Sequence, residues 1–133
     1  MNLLLDTQIW LRMHREQWKL SSEVTQAVTD PRNELWLSPV SVWELILLVE
    51  GKRIELAEPV DSFVMKSQKE LLLREAALTW AVADELRYTI TSHRDPADRF
   101  LAATAKVYDL TLVTSDRRLL EPLPGLKVMA NRI

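Results

Sequence analysis

Short apolar runs that end on an acid constrain this chain more than any other feature. Leu3-Leu4-Leu5 runs directly into Asp6-Thr7, and Leu110–Val113 into Thr114-Ser115-Asp116. Neither run is long enough for a helix, and each reads as a buried strand. The remaining pattern alternates with them. Ile9, Trp10 and Met13 share one face of a helix after Asp6. Ser21 or Ser22 caps a second helix carrying Val24, Ala27 and Val28, and Asp30-Pro31-Arg32-Asn33 is a turn. Leu35-Trp36-Leu37 is the next strand. Ser41-Val42-Trp43-Glu44 has capping-box spacing for a helix that runs to Glu50 and stops at Gly51. Further helices are expected over Pro59–Glu70 and Thr79–Leu86, with a strand over Leu71–Arg74 between them. Asp95-Pro96 has the cap-then-proline order that opens a helix, here through Phe100, Leu101 and Ala103 to Tyr108. Lys127-Val128-Met129 is a candidate edge strand.

Strands alternating with helices predict one α/β domain over residues 1–133, with a central, mainly parallel sheet. A chain of 133 residues has room for one core, and 47% hydrophobic with 27% charged residues is ordinary for a globular domain. No apolar stretch approaches the roughly 20 residues that span a bilayer. The segment Met1–Asp6 lacks the basic start of a signal peptide, so a cytoplasmic protein with no membrane partner is expected. Cysteine is absent and histidine occurs twice, as His14 and His93, so any metal must rest mainly on oxygen. A net charge of −2 argues against indiscriminate coating of nucleic acid, though an acidic cluster would hide a basic rim from such a count.

Four carboxylates fall at related places in this pattern. Asp6 and Asp116 follow strands, while Glu44 and Asp98 are expected near the third position of capped helices. In an open parallel sheet, strand C-termini and helix N-termini line the same edge, where ligands bind. Helix N-termini offset the burial of such charges by only roughly 0.3–1 kcal/mol each. A divalent cation answers the remaining repulsion, and an all-oxygen donor set selects Mg²⁺ or Mn²⁺. Such a site suits phosphodiester hydrolysis. Each acid also has a plain local reading: Asp95 as a cap, Glu44 as half of a capping box, Asp98 as a first-turn acid, Asp116 as the cap of a short turn, Asp6 as the start of a helix. Those readings leave their common edge unexplained.

At these residues the chain resembles the VapC-type toxins of the PIN-domain family. The segments concerned are Leu3–Thr7, Leu37–Leu45, His93–Ala103 and Leu112–Asp116, in family order. The resemblance implies a three-layer α/β/α PIN-like fold and a Mg²⁺- or Mn²⁺-dependent endoribonuclease leaving 5′-phosphate and 3′-hydroxyl ends. It implies Asp6, Glu44, Asp98 and Asp116 as catalytic metal ligands, with Thr7 and Ser115 orienting Asp6 and Asp116. Asp95 is an outer acid of the loop motif. It also implies a homodimer neutralised by a small cognate antitoxin. Gln8 stands where relatives often place histidine. Arg94 and Arg99 are candidate contacts to RNA. Arg117 and Arg118 read more simply as surface or ion-paired residues, and His93 as a loop histidine. His14-Arg15 with Trp18 and Lys19 mixes base and aromatic as single-strand binders do, although packing of Trp18 is the simpler account. Trp10, Trp36, Trp43 and Trp80 are expected in the core or an interface. Two other classes stand against the nuclease. One is a catalytically silent PIN-like module that binds RNA or protein. The other is a Mg²⁺-dependent phosphatase, for which Asp6-Thr7-Gln8 lacks the usual second aspartate.

Overall fold

A computed structural model describes residues 1–89, 95–120 and 123–133. The expected strands and helices appear in the expected order. They are β1 (Asn2–Leu5), α1 (Thr7–Arg15), α2 (Ser22–Thr29), β2 (Glu34–Leu37), α3 (Pro39–Glu50), α4 (Val60–Glu70), β3 (Arg74–Glu75), α5 (Trp80–Glu85), α6 (Pro96–Tyr108), β4 (Thr111–Thr114) and β5 (Lys127–Ala130). Every strand pair among the described residues is parallel, in the order β3-β2-β1-β4-β5. The sheet grows outward from β1 through β2 to β3, then restarts on the other side of β1 with β4. That reversal beside β1 is the switch point at which open α/β sheets bind ligands, outside the strand C-termini.

Alternation along the strands divides the core. Leu3, Leu5, Leu35, Leu37 and Val113 face α1 to α4, packing with Ile9, Trp10, Val24 and Leu45. Leu4 and Leu112 face the opposite way, against Leu101 and Ala105 of α6, with α5 packed beside α6. The result is the three-layer α/β/α arrangement.

Two local expectations are corrected. The helix after β2 opens on Ser38-Pro39, where the Ser38 hydroxyl accepts from the Val40 amide at 3.0 Å. Proline favours the first helical position because its φ is preset and its missing N–H has no partner to lose. Ser41 is therefore already inside α3, and Glu44 is its sixth residue rather than its third. The strand expected over Leu71–Arg74 is instead β3 at Arg74–Glu75, because α4 caps at Leu71 and Leu72 takes a left-handed turn with φ 52°.

Asn131, 7% exposed, ties the C-terminal strand to the rest of the domain. Its amide nitrogen donates to Lys19 O and Ser115 Oγ, each at 2.9 Å, and its oxygen accepts from the Ser21 amide at 2.6 Å. Asn131→Ala leaves three buried or half-buried polar groups without this partner. A loss of about 1–3 kcal/mol is expected, read from urea unfolding at constant m.

Candidate functional site

The acids gather where the switch point leads them to be expected. Asp6 follows β1, and its amide extends the ladder by donating to Val113 O at 3.0 Å. The β1–β4 register, Leu4 with Leu112 and Leu5 with Val113, carries on to set Asp6 beside Thr114. Thr114 Oγ1 donates to Asp6 Oδ2 at 2.6 Å and accepts from the Asp116 amide at 3.0 Å. One hydroxyl thus orders two of the acids. Strand alternation was the available signal for Thr114, since it shares the face of Leu112 as Asp6 shares that of Leu4.

Glu44 reaches the same edge from the second turn of α3. The dipole of a helix end fades within its first turn, so this carboxylate has little help from it. Its partner is Thr7, whose hydroxyl lies 2.5 Å from Glu44 Oε1 and 2.9 Å from Ser41 Oγ. A hydroxyl has one proton to give, and the shorter contact to a carboxylate takes it, so Ser41 donates to Thr7. Asp98 sits at the third position of α6, 6% exposed. Asp95 caps that helix, accepting from the Ala97 amide at 3.0 Å.

Electrostatics record how close these groups stand. Burial, then the charges of Asp95, Asp6, Asp116 and Glu44, push Asp98 up to about 7. Asp6, 7% exposed, is raised by burial and by Asp116, against the opposing pull of the Thr114 hydroxyl and the first α1 amides. Glu44 is raised by burial and by the charges of Asp6 and Asp95, opposed by Thr7. The acids expected from sequence at 6, 44, 95, 98 and 116 therefore share one electrostatic environment. Hard, desolvated, mutually repelling oxygens are the donor chemistry that a divalent cation satisfies. Among the described residues, no three acidic or histidine side chains form a ready-made cation cage. Mg²⁺ takes one or two carboxylates and otherwise water and phosphate oxygens, and Asp6, Glu44, Asp98 and Asp116 are the residues that would hold it.

Several expected neighbours play other parts. The Ser115 hydroxyl accepts from Arg12 at 2.8 Å and from Asn131, and the hydroxyl on the Asp116 amide is that of Thr114. Thr7 serves Glu44, and the hydroxyl on Asp6 is that of Thr114. Arg99 has partners within the domain. Its guanidinium donates to Leu86 O at 2.7 Å and Thr89 O at 3.2 Å, satisfying carbonyls at the end of a short 3₁₀ turn. Arg118 pairs with Asp116 at 3.3 Å. His14 faces inward: Ser67 Oγ accepts from Trp10 Nε1 at 2.8 Å and is hydrogen-bonded to His14 Nε2 at 2.7 Å. Trp18 is 74% exposed and does not pack on the domain, and Trp43 and Trp80, at 51% and 94%, lie outside its core. His93 and Arg94 lie outside the described residues.

The raised pKa of Asp98 fixes the sign of a stability test on the metal-free chain. Between an ordinary aspartate's 3.8 and about 7, the folded chain holds a proton that the unfolded chain has released. Stability from this group is full below the lower value, falls as pH rises, and levels off above the higher one. Asp98→Asn in EDTA is expected to melt above the parent at pH 8, by roughly 3–6 °C per kcal/mol recovered, and level with it at pH 4. Calorimetric scans across that range read the difference.

A PIN domain family model matches residues 3–122. Over 118 residues the chain is 36% identical to Ribonuclease VapC22 of Mycobacterium tuberculosis (strain ATCC 25618 / H37Rv), with 88% of each chain covered. VapBC2 from Rickettsia felis, solved bound to a DNA fragment from their promoter, aligns at TM-score 0.74 and 15% identity, covering 99% of this chain and 100% of that one. FitAcB from Neisseria gonorrhoeae aligns at TM-score 0.64 and 24% identity, with 96% of each chain covered. These two likenesses concern the fold alone; the family model and the VapC22 identity carry the assignment. The chain belongs to the PIN-domain family.

Proposed function

We propose that this chain is a Mg²⁺- or Mn²⁺-dependent endoribonuclease, the toxin of a toxin–antitoxin pair, with Asp6, Glu44, Asp98 and Asp116 as its metal-binding and catalytic carboxylates. The observation that carries the reading is the convergence beside Asp98 of Asp6, Glu44 and Asp116 from three distant parts of the chain, joined by Asp95 from the cap of the same helix. A nuclease needs that concentration of charge; a silent binding module has no use for it. The relative named a ribonuclease supports the activity, and the VapBC structures support a small protein antitoxin. The domain is the whole of residues 1–133.

When bound, the divalent ion supplies Lewis acidity to the scissile phosphate and lowers the pKa of a water. The chain's part is positional. Thr114 fixes the Asp6 carboxylate and the Asp116 backbone, Thr7 fixes Glu44, and the Asp95 cap fixes the turn that presents Asp98. A carboxylate oxygen of the quartet takes the proton of the attacking water. The water oxygen bonds to phosphorus as the P–O3′ bond breaks, and the leaving 3′ oxygen takes a proton from solvent, giving a 5′-phosphate and a 3′-hydroxyl.

The proposed partners are RNA, the antitoxin and a second copy of the chain. Trp43 and Leu47, one helical turn apart and 51% and 45% exposed, offer an apolar face for a protein partner. No helix among the described residues is long and apolar enough to cross a membrane, and a cytoplasmic location is proposed.

Single substitutions should grade by their distance from the ion. Asp6→Asn and Asp98→Asn are expected to lower cleavage of labelled RNA in Mg²⁺ or Mn²⁺ by more than the roughly 10–100-fold typical of outer-shell changes. Thr114→Val is expected within that range, and all three should remain folded by circular dichroism. Metal-dependent cleavage at the parent rate by both aspartate variants would sink the reading, as would the absence of cleavage in the parent chain.

A further inference from the structure

Beside the acidic site lies an open cleft of about 750 Å³, lined by Ser115, Arg117, Leu120, Asn131, Arg132 and Ile133. Ser115 and Arg117 are the residues on either side of Asp116, so the cleft begins where the acid cluster ends. Its floor is built. Asn131 is buried and fully hydrogen-bonded, and Ser115 is held from α1 by Arg12 at 2.8 Å and from the C-terminal strand by Asn131. Its two cations are different. Arg117 and Arg132 are both exposed, and among the described residues neither is ion-paired. Among the described residues, the other arginines near the acids have partners: Arg118 pairs with Asp116, Arg99 with two carbonyls, and Arg12 with Ser115.

Resting on the nuclease reading above, we propose that this cleft carries the backbone of a single RNA strand away from the scissile phosphate, with Arg117 and Arg132 on successive phosphates. A strand approaching the acids meets Asp6, Glu44, Asp95, Asp98 and Asp116 at one edge of the sheet, and their charge repels its phosphates. Uncommitted guanidinium groups on one flank offset that repulsion and fix the direction of the strand. Phosphate contacts of this kind position a strand without reading its sequence. The two arginines are thus positioning residues, acting on affinity and register rather than on the reacting atoms.

The test is fluorescence anisotropy of a labelled single-stranded RNA in EDTA, where binding is read without cleavage. Arg117→Ala/Arg132→Ala is expected to weaken binding and to flatten the slope of log affinity against log salt by about 1.4, at roughly 0.7 per phosphate contact on a single strand. The control is Arg32→Ala/Lys127→Ala, which removes two positive charges from the opposite edge of the sheet, before β2 and at the start of β5. Its slope should stay with the parent's. With metal present, the double arginine variant should raise KM for RNA about tenfold or more while kcat changes much less. An unchanged affinity and slope, an equal loss in the control, or no RNA binding by the parent would overturn the cleft. Because the anisotropy arm needs no metal and no turnover, a failure of the nuclease reading shows separately, as binding without cleavage.

Discussion

Asp6 stands where two demands meet. As the residue that follows the central strand, its backbone is fixed by the ladder to Val113. Its carboxylate, 7% exposed, is raised by burial and by Asp116. An acid in that position cannot relax by moving the chain, and it cannot easily hydrate. The surrounding structure answers with hydroxyls. Thr114 donates to Asp6, Thr7 to Glu44, and Ser41 supports Thr7. A neutral donor eases a buried carboxylate without cancelling its charge.

Much of this was legible in the sequence because it depends on short-range rules. Apolar runs ending on Asp6 and before Asp116 marked strands, and Asp95-Pro96 marked a helix start that the structure repeats in detail. The same rule applied to Ser38-Pro39 would have set α3 correctly; the capping-box spacing of Ser41 and Glu44 was a coincidence of residue type three apart. The roles of the hydroxyls were not legible from local pattern. Whether Ser115 or Thr114 meets Asp6 depends on which face of β4 each occupies, and that depends on the register with β1. The carbonyl partners of Arg99, on the turn at residues 86–89, were likewise not legible from the acids beside it in sequence. The tryptophans show the limit of composition: Trp10 is buried and hydrogen-bonded, while Trp43 and Trp80 belong to apolar patterns that this chain leaves uncovered.

The net charge of −2 conceals a separation. Carboxylates converge at the C-terminal edge beside β1 and β4, while the exposed arginines 117 and 132 stand along the adjoining cleft. Averaged over the surface these cancel. At the length scale of a nucleotide they do not, since the Debye length at physiological salt is about 8 Å. A strand drawn along the cleft would feel the arginines before the acids.

On the proposed reading, the backbone carries the order of the site. Backbones around the site are held by the sheet register, by the Ser38 and Asp95 caps and by Asn131, whereas the acid side chains repel one another. A cation bound among these acids would relieve their repulsion while the main chain stays where the sheet and the caps hold it. The pocket is then preorganised in its main chain. That combination suits an ion that must take up and release phosphate oxygens at every turnover, where a cage of fixed protein ligands would leave no coordination position open to the substrate.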